Sequence, residues 1–181
     1  MQENQKTSNR MAGLGPHISI ITLNVTGLNS PIKRHRVAGW IKEQDPTICC
    51  VQEAHLSPKD RHKLRVKRRK TIFQANNERK KAGVTILVSD KVDLKAKQTK
   101  GDKKGQFITI KGTLHQEDIT FINVYAPNTG APEYVKQLVP KLKGEINNNT
   151  IIVGDLNTPL TPMDRSSRQK GNKGIIELNK N

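Results

Sequence analysis

The sequence predicts an α/β layered sandwich, and three observations carry that prediction. Strand-like and helix-like stretches alternate at the start and the end of the chain, with a β meander between them. Leu, Ile, Val and Phe make up about a quarter of the 181 residues, above the roughly 20% below which a chain reads as disordered. The length suits one domain, and no internal repeat is visible.

The elements follow in chain order. Residues 1–16 are polar, with Gly and Pro, and are expected to form a disordered tail. HISIITLN (17–24) reads as a strand that ends at Asn24. Ser30-Pro31 supplies a hydroxyl N-cap and a Pro at the first helical position. The helix that follows places Val37, Trp40 and Ile41 on one face and stops before Asp45-Pro46. TICCVQE (47–53) is a second strand. GVTILVS (83–89), QFITIKG (106–112) and DITFINVYAP (118–127) are three more. A helix is expected from about Glu133 to Ile146, with Pro140 inside it at about 3 kcal/mol against a regular helix. TIIVGD (150–155) is the last strand.

Aromatic residues are only 3%, so the core is aliphatic. The formal net charge of +16 opposes compaction and favours a polyanion, nucleic acid before an anionic membrane surface. No apolar run is long enough for a transmembrane helix, and the first residues lack the apolar segment of a signal peptide. The adjacent Cys49 and Cys50 read as small apolar groups on opposite strand faces, not as a disulfide or metal pair. An intracellular protein is expected, in the nucleus or the cytoplasm. KRRK (67–70) would permit nuclear import.

Four strands end in polar groups that could serve one site: Asn24, Glu53, Tyr125, and Asp155 with Asn157 just beyond. Glu53 is a hard oxygen ligand of the kind Mg²⁺ takes, usually one or two carboxylates with several waters. Asp155 could orient or deprotonate a water. Asn24 and Asn157 can bond water or phosphate without adding charge. Tyr125 can offer a phenol to a developing oxyanion. Together these groups suit phosphodiester hydrolysis. Each also has a plain reading: a solvated strand-end acid for Glu53, Asx-type turns for Asn24 and Asp155, half-buried packing for Tyr125.

TLNVTGLNS, CCVQEAHL, KKAGVTILVSDK, INVYAPNTGAP and VGDLNTPL occur in that order. This set resembles the endonuclease domain encoded by the second reading frame of mammalian LINE retrotransposons. That domain belongs to the exonuclease III-like endonuclease/exonuclease/phosphatase superfamily. The resemblance runs from about residue 17 to residue 168, leaving 169–181 as a divergent tail. It implies a four-layer α/β sandwich with two facing sheets, and Mg²⁺-dependent nicking of double-stranded DNA, with Mn²⁺ as an alternative ion. It implies no small-molecule cofactor, and a monomer is expected. By the resemblance, Asn24 and Glu53 fall on metal and phosphate-side residues, Tyr125 on a phosphate-side phenol, and Asp155 and Asn157 on a water-activating pair.

The sequence also departs from that family. The family domain continues to an Asp and a Ser-Asp-His triplet, which this chain lacks, so the sandwich is expected to be incomplete at its C-terminus. Loss of one phosphate-stabilising donor can cost about 10²–10³ in rate, so impaired or absent activity is expected. Arg68 and Arg69 stand where the family reads Gly-Trp, and a buried Arg69 would bring an unpaired charge. Ala54 replaces the usual Thr and Leu156 the usual Phe.

The basic run 59–70 offers Arg61, Lys63, Arg65, Lys67, Arg68 and Arg69 as candidate phosphate contacts, or simply a solvated face. Two further functions stay open: a non-catalytic basic nucleic-acid-binding fragment, and an abasic-site endonuclease or 3′ exonuclease of the same superfamily. A decayed chain without a stable fold is a third possibility.

Overall fold

The computed structural model describes residues 17–75 and 82–159, so the tails expected over 1–16 and 169–181 lie outside the described residues. Among the described residues, eight strands form two four-stranded sheets. The first sheet has the order β1 (Ile20–Asn24), β2 (Ile48–Gln52), β4 (Val84–Ser89), β3 (Arg69–Ala75). The second has the order β5 (Leu94–Gly101), β6 (Phe107–Leu114), β7 (Glu117–Tyr125), β8 (Thr150–Asp155). Each sheet contains one parallel pair, β1 with β2 and β7 with β8, bridged by helices α1 (Pro31–Gln44) and α2 (Ala131–Lys143).

Four layers result, as the sequence predicts. Ile48, Cys50, Ile86, Ile108, Ile110 and Phe121 meet between the two sheets. Cys49, Val51 and Leu87 face the other way, toward α1 and Leu64. Ile122 and Val124 pack under Leu138 and Leu142 of α2. Burying one such aliphatic or aromatic side chain contributes about 1.5–3 kcal/mol. Cys49 and Cys50 do fall on opposite faces, and burial pushes their thiols up to about 11 and about 12.

Local chemistry explains the helix ends. The Ser30 hydroxyl accepts from the Lys33 N–H, Pro31 opens α1, and Asp45 closes it in a left-handed conformation. Within α1, Ile41 is fully buried but Trp40 is 39% exposed, so the indole is not the core anchor its spacing suggested. The helix α2 starts two residues before the expected Glu133 and passes through Pro140, which faces solvent in its last turn.

Two strands escape the sequence reading, β3 and β5. Both are edge strands with several basic residues, a composition that discourages pairing with other chains. The β5 lysines find acids nearby: Lys97 meets Asp118 at 2.7 Å and Lys100 meets Glu145 at 3.5 Å. Glu145 also meets Lys111 at 2.6 Å, which holds its carboxyl below the usual range.

Arg69 corrects an expectation. Its side chain is only 1% exposed, yet it is paired: the guanidinium contacts the Asp45 carboxylate at 3.5 Å and donates to the Pro46 carbonyl. Asp45 also binds Lys91, which holds its carboxyl below the ordinary range. The charge that replaces an apolar side chain is therefore compensated locally, and Arg69 is unavailable to nucleic acid or to an import receptor. Arg68 sits in the turn before it at φ +64°, where a Gly would be unstrained.

Candidate active site

The sheets deliver the site through their C-terminal strand ends. In parallel register, Asn24 lies beside Gln52 on the first sheet and Tyr125 beside Asp155 on the second. The Asn24 amide joins the two sheets: Nδ2 donates to Glu53 Oε1 at 2.9 Å and to Asp155 Oδ2 at 2.9 Å. Both carboxylates therefore lie within twice that distance of each other, although 102 residues separate them in sequence. Asn24 Oδ1 accepts from the Thr26 N–H at 3.0 Å, which fixes the amide's orientation.

Glu53 reaches this position because the backbone breaks its strand alternation. Gln52 and Glu53 are consecutive, yet both point toward the space between the sheets. A left-handed turn at Glu53, φ +53°, makes that possible. Such strain costs about 1–3 kcal/mol per residue and tends to sit at functional positions. Thr26, Glu53, His55 and Asn157 all have positive φ, and all four flank this one cluster.

Gly154 sets Asp155. A Cβ on Gly154 would lie 1.9 Å from the Val124 carbonyl oxygen, so only glycine lets β8 close on β7 at this point. Beyond it, Asp155 Oδ1 accepts from the Asn157 N–H at 3.0 Å, and Asn157 Nδ2 donates to the Ala126 carbonyl at 2.6 Å. The Asx turn that the plain reading offered is present, and it coexists with the cross-sheet contact.

Tyr125 is 6% exposed and bonds to Glu53. Burial, reinforced by the Glu53 carboxylate, pushes its phenol up to about 12, so it stays protonated at neutral pH. In this arrangement the phenol supports the Glu53 carboxylate.

A cleft of about 600 Å³ opens beside Asn24 and Asp155, lined by Thr22, Asn24, Gln52 and residues 154–159. The structure thus brings Asn24, Glu53, Tyr125, Asp155 and Asn157 together. It adds three residues that sequence reasoning did not nominate. His55 Nε2 lies 3.6 Å from Glu53 Oε2, and its ring packs where a Gly27 side chain would be. Gln52 and Asn123 form a buried amide contact just beneath the cleft.

The basic run divides. Lys63 pairs with Asp60 at 2.6 Å, and Arg65 donates to the His62 carbonyl at 3.2 Å. Lys67 and Arg68 are exposed but lie in the turn entering β3, beside Asp90 and the start of β2, at the pole away from the cleft. The side chain of Arg61 lies outside the described residues.

Among the described residues, no group of three or more His, Cys, Asp or Glu side chains could cage a metal. Mg²⁺ does not require one, because it keeps several waters and takes one or two carboxylates. Asp155 at the cleft wall and the largely buried Glu53, joined through the Asn24 amide, fit such a hydrated ion.

A model of the endonuclease/exonuclease/phosphatase family matches residues 19–175. Among solved structures, the fold is similar to the catalytic domain of Xenopus laevis APE2, at TM-score 0.69 and 16% identity over 90% of this chain and 67% of that one. It is similar to the AP endonuclease LMAP from Leishmania major, at TM-score 0.58 and 17% identity over 88% and 60%. It is also similar to D. rerio TDP2 complexed with single-strand DNA product, at TM-score 0.59 and 17% identity over 78% and 61%. The chain spans between 60% and 67% of the length of these three, and at such identities the likeness is one of fold.

Proposed function

This chain belongs to the endonuclease/exonuclease/phosphatase family, and from that premise we propose that its strand-end cluster is a divalent-metal phosphodiesterase site for DNA, of LINE endonuclease type. One observation carries the proposal: a single amide, that of Asn24, holds Glu53 and Asp155 together from opposite sheets. A fold that spends strain and buried polar groups on joining two carboxylates at a cleft favours a cationic ligand there.

In the proposed mechanism Glu53 would hold Mg²⁺ or Mn²⁺, with Asn24 assisting, and the ion would supply Lewis-acid polarisation of a phosphate oxygen. Asp155 orients the attacking water and accepts its proton, while Asn157 fixes that carboxylate through its backbone N–H. Tyr125 keeps Glu53 in place, and its phenol would supply a proton donor for a phosphate oxygen. The sequence contains no Ser-Asp-His triplet, so the proposal includes slow or absent cleavage by this chain alone.

Duplex binding and plasmid nicking test the reading together. Mg²⁺ should tighten binding of a T/A-rich duplex, and Glu53→Ala should remove that gain. Supercoiled plasmid should be nicked no faster than by the Glu53→Ala variant. Binding that ignores both Mg²⁺ and Glu53→Ala, and falls linearly in log salt, would instead establish a non-catalytic basic nucleic-acid-binding fragment. Preference for an abasic duplex over the intact one would favour the abasic-site endonuclease reading.

A further inference from the structure

Beneath the cleft, two neutral amides meet in the middle of the sandwich. Asn123 on β7 is fully buried and Gln52 on β2 is 1% exposed. Gln52 Nε2 donates to Asn123 Oδ1 at 2.7 Å and to Thr22 Oγ1 at 2.9 Å. Asn123 Nδ2 donates to the Val51 and Thr85 carbonyls, each at 3.1 Å. Those carbonyls belong to a register pair of β2 and β4. One side chain of the second sheet is thereby tied to two central strands of the first, and Gln52 extends the tie to β1.

The surroundings make this tie unusual. The layer between the sheets is otherwise largely apolar, with Cys50, Ile86, Ile110 and Phe121 in the same core. An apolar pair would fill such a place without burying polar groups, but apolar contact tolerates sliding. Hydrogen bonds to fixed carbonyls do not. Position supplies the purpose. Gln52 directly precedes Glu53, and Asn123 is two residues before Tyr125 on the same strand face. Sliding of one sheet over the other would move Glu53 away from both Tyr125 and Asp155.

We propose that Gln52 and Asn123 are positioning residues, a buried amide clamp that sets the offset between the two sheets and so the spacing of Glu53 from Tyr125 and Asp155. The inference rests on the phosphodiesterase reading for its purpose, while the clamp itself acts on the protein whether or not a cation binds.

The test compares Gln52→Leu, Asn123→Leu and the double variant in the full chain. Each single change strands a buried polar group and should lower the melting temperature. The double change removes the amide–amide contact but leaves the Thr22 hydroxyl and the Val51 and Thr85 carbonyls without these donors, so it should recover part of that loss. Two readouts follow the geometry. Manganese affinity, read by water-proton relaxation, should be at least tenfold weaker in the double variant than in the wild-type chain. The Cζ resonance of labelled Tyr125 should be single and sharp in the wild type, and shifted or broadened in the double variant. A double variant with wild-type stability, wild-type manganese affinity and an unchanged tyrosine signal would overturn the clamp. Manganese binding by the wild type that ignores Glu53→Gln would overturn the metal-site reading alone, and the tyrosine signal would then decide the clamp.

Discussion

Asn24→Ala is the sharpest perturbation of the site, because it removes one small side chain and strips a donor from two carboxylates. The bond to the largely buried Glu53 is charge-assisted and contributes about 1.5 kcal/mol. The bond to Asp155 is exposed and contributes about 0.5 kcal/mol. The total is about 2 kcal/mol, and it is this donation that offsets the repulsion of two carboxylates no more than twice 2.9 Å apart. For a chain of this length that corresponds to a fall in melting temperature of about 4–8 °C at pH 7. The loss should shrink when millimolar Mg²⁺ is added at pH 7. Calorimetry with and without Mg²⁺ is the assay. A melting temperature within a degree of the parent at pH 7 would refute the bridging role. A deficit equal in both conditions would show that the residue matters only for local packing.

Three other outcomes follow. Gly154→Ala should cost about 3 kcal/mol or more, because its Cβ would overlap the Val124 carbonyl, and urea titration measures it. Arg68→Gly should stabilise the chain by about 1 kcal/mol, since it relieves a left-handed residue at φ +64°; an unchanged urea midpoint would contradict that. Stability should decline as pH rises above about 9. The folded pKa values of Cys49, Cys50 and Tyr125 are raised to about 11, 12 and 12, so each must be neutral in the fold and its contribution is lost through that window. A flat melting temperature from pH 8 to 11 would count against it.

Much of this architecture is legible because apolar runs with turn residues at their ends mark buried strands. TIIVGD matches β8 residue for residue, and Ser30-Pro31 marks the start of α1. The strand β5 is hidden for a physical reason: as an edge it carries charge on an exposed face, so its periodicity is weak, whereas β3 opens on an Arg69 that is buried by partners from another element. The five site residues are legible as types at strand ends, but their meeting depends on how two sheets face each other, which no local pattern encodes. Glu53 is the clearest case, since strict alternation would send it to the α1 side and only its left-handed turn brings it to Asn24. Asn123 left a trace that could have been followed: an amide in the middle of the apolar run ITFINVY requires a buried partner. Arg69 could not be placed from sequence, because Asp45 and the Pro46 carbonyl compensate it from another element.

The central claim is that Glu53 and Asp155 together face a divalent cation at the mouth of the sandwich. Anomalous diffraction from crystals soaked in Mn²⁺ tests it most directly. One strong peak within coordination distance of Glu53, on the cleft side of Asn24, is predicted, and it should vanish in Glu53→Gln. Ordered manganese elsewhere on the surface, with none at Glu53 in the parent crystals, would contradict it.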